Sequence, residues 1–324
     1  MNTVHLPDGG KFAFTILDHP ETAAVSAVRG MYDLLDEFGI RVSRAVWSFG
    51  SADSGRYDSR GSLEDSEQLE FALELQSRGH EICWAGASRG ANRRERTIEG
   101  LERFREVFGQ YPRLYVNSST NRESLYWGSD RIDQPLLKAV AQRAAPTPIG
   151  YYLGHVDESA FWWGDVCRQH IDYVLNLTFE EVNVRRINPG LPYHDPLRPW
   201  VRWWFSATEV DNGGEFNQLL RPDRLERLVR EAGCCIISTK LARGYLRDPQ
   251  GERLTRRRVD SLVKAGGWFA TASALLDHYR AHGAGEVLSE SEWDNMQRRF
   301  TRDLVRRRSR DETRSDAARS AAIR

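Results

Sequence analysis

The chain has 324 residues, of which 40% are hydrophobic and 28% are charged, and its formal net charge is zero. This length allows one large domain or two small ones, and the composition is ordinary for a globular protein. Because the charges cancel, no overall electric field draws the protein to nucleic acid or to an anionic membrane. We therefore expect neither of them as a partner.

The chain also lacks sequence signals for export. Its N-terminus has neither the basic segment nor the long apolar stretch of a secretory signal. No apolar run approaches the ~20 residues that a helix needs to cross a bilayer. The cysteines, Cys83, Cys167, Cys234 and Cys235, form no C-x-x-C pair, which favours buried thiols over disulfides or zinc ligands. We therefore expect a cytoplasmic protein.

Strand and helix signals alternate from the beginning of the chain. The apolar run 12–17 predicts a strand, and apolar residues at helical spacing in 22–38 predict a helix that Gly39 ends. Further strands are predicted over 40–49, 80–84 and 114–116. The helices between them are predicted from a capping box at 62–65 to Gly79, and over 94–108.

The same alternation continues beyond an irregular, proline-rich middle. Strands are predicted over 171–177, 201–205, 234–238 and 268–270, and helices over 135–145, after Pro222, and over 271–282 and 290–307. Strands separated by helices predict an α/β protein with a mainly parallel sheet or a β/α barrel. We expect a single domain over 1–308, followed by a basic, disordered tail over 309–324.

Short motifs occur at the ends of the early strands. The first is Thr15-Ile16-Leu17-Asp18-His19-Pro20, the second is Gly79-His80-Glu81-Ile82, and the third is Phe108-Gly109-Gln110-Tyr111-Pro112. In this order they resemble the T-F-D-D-G-P, G-H-E-I-G-N-H-T-x-x-H and F-G-x-x-P motifs of the NodB-type polysaccharide deacetylase family. The resemblance implies a distorted β/α barrel whose site lies at the C-terminal ends of the strands. It also implies hydrolysis of an amide C–N bond, such as that of an N-acetyl sugar.

The residues that the family uses for chemistry are mostly replaced in this chain. In the family motif, the first Asp is the general base, and the second Asp binds a metal together with two histidines. This chain has Leu17 at the base position and keeps Asp18, but Ala85 and Arg89 stand at the histidine positions. Lys240 stands where the family's late strand ends in a histidine.

These replacements argue against a metal site. A catalytic metal needs several nitrogen or oxygen donors at ~2.0–2.2 Å, which Asp18 alone cannot supply, and Arg89 repels a cation. We therefore predict a hydrolase, metabolising a carbohydrate, that uses no metal and no other cofactor, with Asp18 or His19 as the base and Lys240 or Arg89 stabilising an oxyanion. The predicted catalytic residues are Asp18, His19, Glu81 and Lys240.

The expected partner is a small molecule or a glycan, and homo-oligomers are left open. Aromatic residues are clustered at 126–127, 161–163 and 200–205, and such rings can stack on sugars. Large aromatic residues are also often buried, so part of each cluster can belong to the core. The predicted substrate-binding residues are Arg89, Asn117, Trp127, Trp163 and Trp203.

Three alternatives remain at this point. In the first, the site residues are structural: Asp18 caps the next helix and pairs with Lys240. In the second, the protein binds a glycan without turning it over. In the third, Gly86-Ala87-Ser88-Arg89-Gly90 matches the G-x-S-x-G elbow of serine hydrolases, with Ser88 as nucleophile and a histidine such as His278 as its partner. The heavily charged helix that follows this segment argues against the elbow.

Overall fold

The structure is a computed structural model that describes residues 4–51, 57–145, 147–246, 248–283 and 287–322, with side chains described up to residue 310. Within these ranges strands and helices alternate. The strands are β1 (Ala13–Asp18), β2 (Val42–Val46), β3 (Glu81–Trp84), β4 (Leu114–Val116), β5 (Tyr173–Phe179), β6 (Trp203–Glu209), β7 (Cys234–Thr239) and β8 (Trp268–Phe269). The helices are α1 (Ser26–Glu37), α2 (Ser66–Ser77), α3 (Arg94–Phe108), α4 (Pro135–Ala144), α5 (Gly164–His170), α6 (Gly213–Leu219), α7 (Pro222–Arg230), α8 (Pro249–Lys264), α9 (Ala272–Ala281) and α10 (Glu290–Ala322).

Strands β1 to β7 form a closed parallel barrel. Each strand pairs with the next in chain order, and β1 closes the ring by pairing with both β2 and β7. The short β8 adds to the beginning of β1, where Trp268 lies opposite Ala13. The predicted β/α barrel is confirmed.

Side chains of β1 alternate between the barrel interior and the surrounding helices. Ala13 and Leu17 belong to the apolar cluster that fills the barrel, whereas Phe14 and Ile16 belong to the cluster between the barrel and the helices. Successive residues of a strand face opposite sides of a sheet. Asp18, one residue after Leu17, therefore faces the helix layer.

Local signals place most helix ends correctly. Helix α3 ends at Gly109, whose φ of 76° is the left-handed conformation that glycine adopts easily. Helix α2 begins later than the sequence predicts, because its N-cap is Asp65, whose carboxylate accepts a hydrogen bond from the Glu67 amide at 3.1 Å. The predicted capping box at 62–65 was therefore misplaced by about one turn.

The last helix is longer than the sequence predicts. The backbone of α10 stays helical through Ala322, beyond the expected end at 307 and into the segment expected to be a disordered tail. Alanine and arginine, which are frequent there, have high helix propensity. Met296 and Phe300 of α10 are buried in the core.

In the ranges given above, no helix combines the length and the apolar character that crossing a bilayer requires. All four cysteines are free and buried.

Candidate functional site

A pocket of about 690 Å³ opens at the C-terminal ends of the barrel strands. Its walls come from the last residues of β4 and β6 and from the loops that follow β1, β2, β3, β4 and β7. This is the end of a parallel β/α barrel at which loops from several strands converge. The polar and aromatic residues that line it include His19, Glu21, Trp47, Arg89, Asn117, Ser118, Trp127, Glu209, Lys240 and Arg243.

His19 is placed in the pocket by the end of β7. Its amide donates a hydrogen bond to the Thr239 carbonyl at 2.8 Å, and its Nε2 lies 2.7 Å from Ser238 Oγ. Burial and then the positive charge of Lys240 lower the pKa of His19 to about 4. The imidazole is therefore neutral at neutral pH and able to accept a proton.

Lys240 lies beside His19 and shares a carboxylate with Arg243. Lys240 Nζ is 3.0 Å from Glu21 Oε1, and Arg243 Nη2 is 2.6 Å from the same oxygen. Burial favours the neutral form of Glu21, but the hydrogen bonds from Arg243 and Lys240 outweigh it and lower the pKa. One carboxylate therefore lies between two cations.

Glu209, the last residue of β6, is a pocket carboxylate that the sequence did not indicate. Thr178 Oγ1 donates a hydrogen bond to it, and Arg307 of α10 approaches at 3.2 Å. Burial opposes ionisation, but Arg307, the hydrogen bond from Thr178 and the charge of Arg131 together outweigh it, so the pKa of Glu209 is lowered. The strand predicted from the sequence ended at 205. Extending that strand to the next acidic residue would have indicated Glu209.

Asp18 does not line the pocket. Its carboxylate accepts hydrogen bonds from Tyr32 Oη at 2.9 Å, from Arg44 Nη1 at 2.6 Å and from the Leu241 amide at 2.9 Å. Burial raises the pKa of Asp18, and the Arg44 charge opposes that shift. The expectation that Asp18 shares a pocket with His19 is corrected, because Asp18 belongs to the outward face of β1. Its partner is Arg44, not Lys240, and it caps no helix.

Glu81 lies at the other end of the barrel. It is the first residue of β3, and in a parallel barrel the strand beginnings lie opposite the pocket. Its carboxylate accepts hydrogen bonds from Ser43 Oγ at 2.5 Å and from the Ser273 amide at 3.1 Å. The structure therefore does not bring Glu81 together with His19 and Lys240.

The predicted tryptophans are distributed over three environments. Trp127 lines the pocket, with the Arg131 guanidinium 3.8 Å from its ring centre. Trp163 is fully buried, and its Nε1 donates to the Glu123 carbonyl at 2.7 Å. Trp203 begins β6 and therefore lies at the end of the barrel away from the pocket. Trp47, which the sequence analysis did not single out, lines the pocket.

The elbow segment does not form a nucleophile site. Ser88 Oγ donates a hydrogen bond to Asn92 Oδ1 at 2.7 Å, inside a buried network. His278 lies on α9, and its Nε2 contacts the His5 carbonyl at 2.8 Å. Ser88 and His278 are therefore on different parts of the molecule, and the serine hydrolase alternative has no geometric support.

Comparison with solved structures agrees with this architecture. Puue allantoinase superposes with a TM-score of 0.53 at 12% identity, over 87% of this chain and 95% of that one. A probable polysaccharide deacetylase from Pseudomonas aeruginosa PAO1 superposes with a TM-score of 0.52 at 13% identity, over 87% and 95% of the two chains. This chain has the polysaccharide deacetylase fold. No protein-family model and no curated protein matches the sequence.

The residues of this polysaccharide deacetylase fold do not suit the metal that the resemblance implies. Ala85 and Arg89 stand at the histidine positions and both line the pocket, where they offer no donor to a cation. Asp18 is turned away and is bound to Arg44. In the described ranges, no group of three or more His, Cys, Asp or Glu side chains is placed to hold a metal ion.

A buried polar network supports the pocket wall. Glu123 accepts hydrogen bonds from the Asn92 amide at 2.9 Å, from Asn92 Nδ2 at 2.7 Å and from Asn121 Nδ2 at 2.7 Å. Asn121 Oδ1 in turn accepts a bond from the Gly90 amide at 3.1 Å. The network therefore fixes the backbone next to Arg89. No local sequence pattern indicates this network, since its members come from two separate loops.

Proposed function

We propose that this protein hydrolyses an amide C–N bond of an N-acylated carbohydrate or related small polar molecule, without a metal. The fold supports a hydrolase, because it is shared with a probable deacetylase and an allantoinase. The observation that carries the proposal is the convergence of His19, Lys240 and Arg89 on one pocket of about 690 Å³. That volume is within the range of small-molecule sites.

In this mechanism His19 is the general base. Water attacks the amide carbonyl carbon while its proton passes to the neutral imidazole, and the carbonyl oxygen gains the negative charge. Lys240, which lies beside His19, stabilises that charge. The C–N bond then breaks as the carbonyl re-forms, and His19 returns the proton to the leaving nitrogen, so that a carboxylic acid and an amine are released.

Aromatic and amide groups of the pocket bind the substrate. Trp47 and Trp127 offer flat apolar faces, which suit the carbon-bound hydrogens of a sugar ring. Asn117 is held by the Leu125 amide, which donates to its Oδ1 at 2.8 Å, and lies in the wall of the pocket. In this proposal the ring stacks on tryptophan while its acyl group reaches His19.

The compartment is part of the proposal. The four cysteines are free and buried, which suits a reducing environment. We therefore propose that the protein acts in the cytoplasm.

Substitutions of His19 and Lys240 should lower turnover. On a panel of N-acetylated sugars assayed by amine release, His19→Asn is expected to lower kcat by at least about 100-fold, because it removes the base. Lys240→Met is expected to lower kcat by about 100-fold or more, because it removes oxyanion stabilisation. The exposed Arg253 of α8 supplies the control variant, Arg253→Gln, which should leave kcat unchanged. Turnover that survives His19→Asn contradicts the mechanism.

A second function is a glycan-binding protein without turnover. It is favoured by Leu17, which faces the barrel interior at the position where the related motif has its base. In that case the sugar panel shows binding to wild-type protein with no amine release. Substitution of His19 then changes affinity only modestly, whereas Trp127→Ala removes binding.

A further inference from the structure

Arg89 is a pocket cation for which the described residues supply no hydrogen-bond or ion-pair partner. Its side chain is exposed to the pocket. The carboxylate that influences it, Asp58, is already bound by Arg60, whose Nη2 and Nε lie 2.7 and 2.9 Å from the Asp58 oxygens. The guanidinium of Arg89 is therefore available to a ligand.

The other charges of the pocket do not neutralise Arg89. Glu21 lies between Lys240 and Arg243, which leaves one positive charge in excess. Glu209 is paired with Arg307 at 3.2 Å. The pocket lining thus holds more cations than carboxylates, and both carboxylates are occupied.

A further cation lies behind the wall. Arg131 is buried beneath Trp127, and its nitrogens donate to the carbonyl oxygens of Gly128 and Asn176 at 3.2 and 3.3 Å. The carboxylate that opposes its charge is Glu209, which is already paired with Arg307, so two arginines face one carboxylate. Because the interior screens charge less than water does, the excess positive potential extends into the pocket.

We propose that the ligand of this pocket carries a carboxylate, and that Arg89 binds it. Guanidinium groups bind carboxylates with two parallel hydrogen bonds, which fixes orientation as well as adding affinity. The substrate class is then an N-acylated acid, such as an N-acetylated sugar acid. This inference rests on the proposed function, since it names the substrate class of the same pocket.

The backbone at Arg89 is held in place by hydrogen bonds. The Gly90 amide donates to Asn121 Oδ1 at 3.1 Å, and the Ser88 carbonyl accepts from Asn121 Nδ2 at 2.8 Å. The backbone on both sides of Arg89 is therefore held by one buried asparagine. This ordered backbone loses little freedom when the guanidinium binds a ligand.

Calorimetric titration with matched sugars tests the inference. The neutral probe is N-acetylglucosamine, and the acids are its 6-carboxylate counterpart and N-acetylmuramic acid. Wild-type protein is expected to bind at least one acid about 10-fold or more tightly than the neutral sugar. Arg89→Gln should abolish that preference, Arg89→Lys should keep part of it, and Arg253→Gln should retain it fully.

The binding results test whether the ligand carries a carboxylate, whether or not the protein releases amine. Equal affinity for acids and neutral sugar, failure of both acids to bind, or an acid preference that persists in Arg89→Gln overturns it. Acid-selective binding that depends on Arg89 supports it even where no amine is released. In that case the proposed hydrolysis fails while the ligand class stands.

Discussion

Asp18 and His19 are neighbours in the chain, but their side chains face different environments. Asp18 is bound between β1 and the helix layer by Arg44 and Tyr32, whereas His19 faces the pocket and contacts Ser238. A step of one residue at the end of a strand reverses the direction of the side chain. We therefore propose that His19 takes part in chemistry at the pocket, whereas Asp18 stabilises the fold.

This assignment predicts the effect of Asp18→Asn. The substitution leaves the buried Arg44 without its counter-ion, so the free energy of unfolding should fall by about 3–5 kcal/mol. Denaturant unfolding measures the loss. The pair variant Asp18→Leu/Arg44→Met should recover much of it, because both charges are then removed.

The contrary outcome for Asp18 is equally specific. If Asp18→Asn unfolds at the wild-type denaturant concentration but releases no amine, the carboxylate takes part in the reaction. In that event the Asp18 side chain faces the pocket, and not the helix layer, when the protein turns over its substrate.

The lowered pKa of His19 predicts a pH dependence of stability. The folded-state pKa is about 4, below the usual histidine value of 6.5, so the unfolded chain binds more protons between these values. The contribution of His19 is therefore fully present above about pH 6.5 and is lost as pH falls towards 4, with a limiting slope of about 1.4 kcal/mol per pH unit.

Unfolding measured at several pH values with wild-type protein and His19→Asn isolates this contribution. Wild-type protein should lose stability faster than the variant between pH 6.5 and 4. Parallel curves for the two proteins show that the imidazole is not buried as described. Amine release that requires neutral His19 should correspondingly stay constant from about pH 5 to neutrality.

At the scale of elements, the barrel strands present the loops, and buried contacts between loops set their shape. Glu123 connects the loop after β3 with the loop after β4 through Asn92 and Asn121. Burial raises the pKa of Glu123, and its hydrogen bonds oppose that shift. The order of the loop that carries Arg89 therefore depends on this network.

Glu123→Gln tests that link. Replacing one carboxylate oxygen by an amide nitrogen leaves a buried donor facing Asn92 or Asn121, which should cost about 1–3 kcal/mol of folding free energy. The acid preference that depends on Arg89 should weaken in the same variant. Glu158→Gln, at an exposed loop position, is the matched control and should change neither quantity. If Glu123→Gln fully retains the acid preference, the network does not influence ligand binding in the pocket.

Elements were easier to predict than the contacts between them. Most strands were recognisable because they contain a short apolar run, and Gly39, Gly79 and Gly109 mark helix ends. The helices α5 and α6 were missed, since each is only seven residues long and carries no strong periodicity. Glu209 was missed for a related reason, because β6 continues past its apolar part into polar residues.

At the scale of the whole molecule, the closed barrel decides which residues meet. The sequence placed the site at the C-terminal ends of the strands, and His19, Arg89, Asn117, Trp127 and Lys240 do line one pocket there. Glu81, Trp163 and Trp203 do not line it. Whether a strand or core residue reaches the pocket depends on the register of the barrel strands. Register and strand order are long-range properties that local patterns do not specify.

Hydrolysis without a metal requires that metal-depleted protein still release amine from its substrate. The protein is treated with a chelator, freed of metal by the criterion of elemental analysis, and assayed on N-acetylated sugars and sugar acids. The rate is expected to equal that of the untreated protein and to fall by about 100-fold or more in His19→Asn. Loss of activity on chelation, with recovery on adding a divalent ion, would show that the reaction depends on a metal.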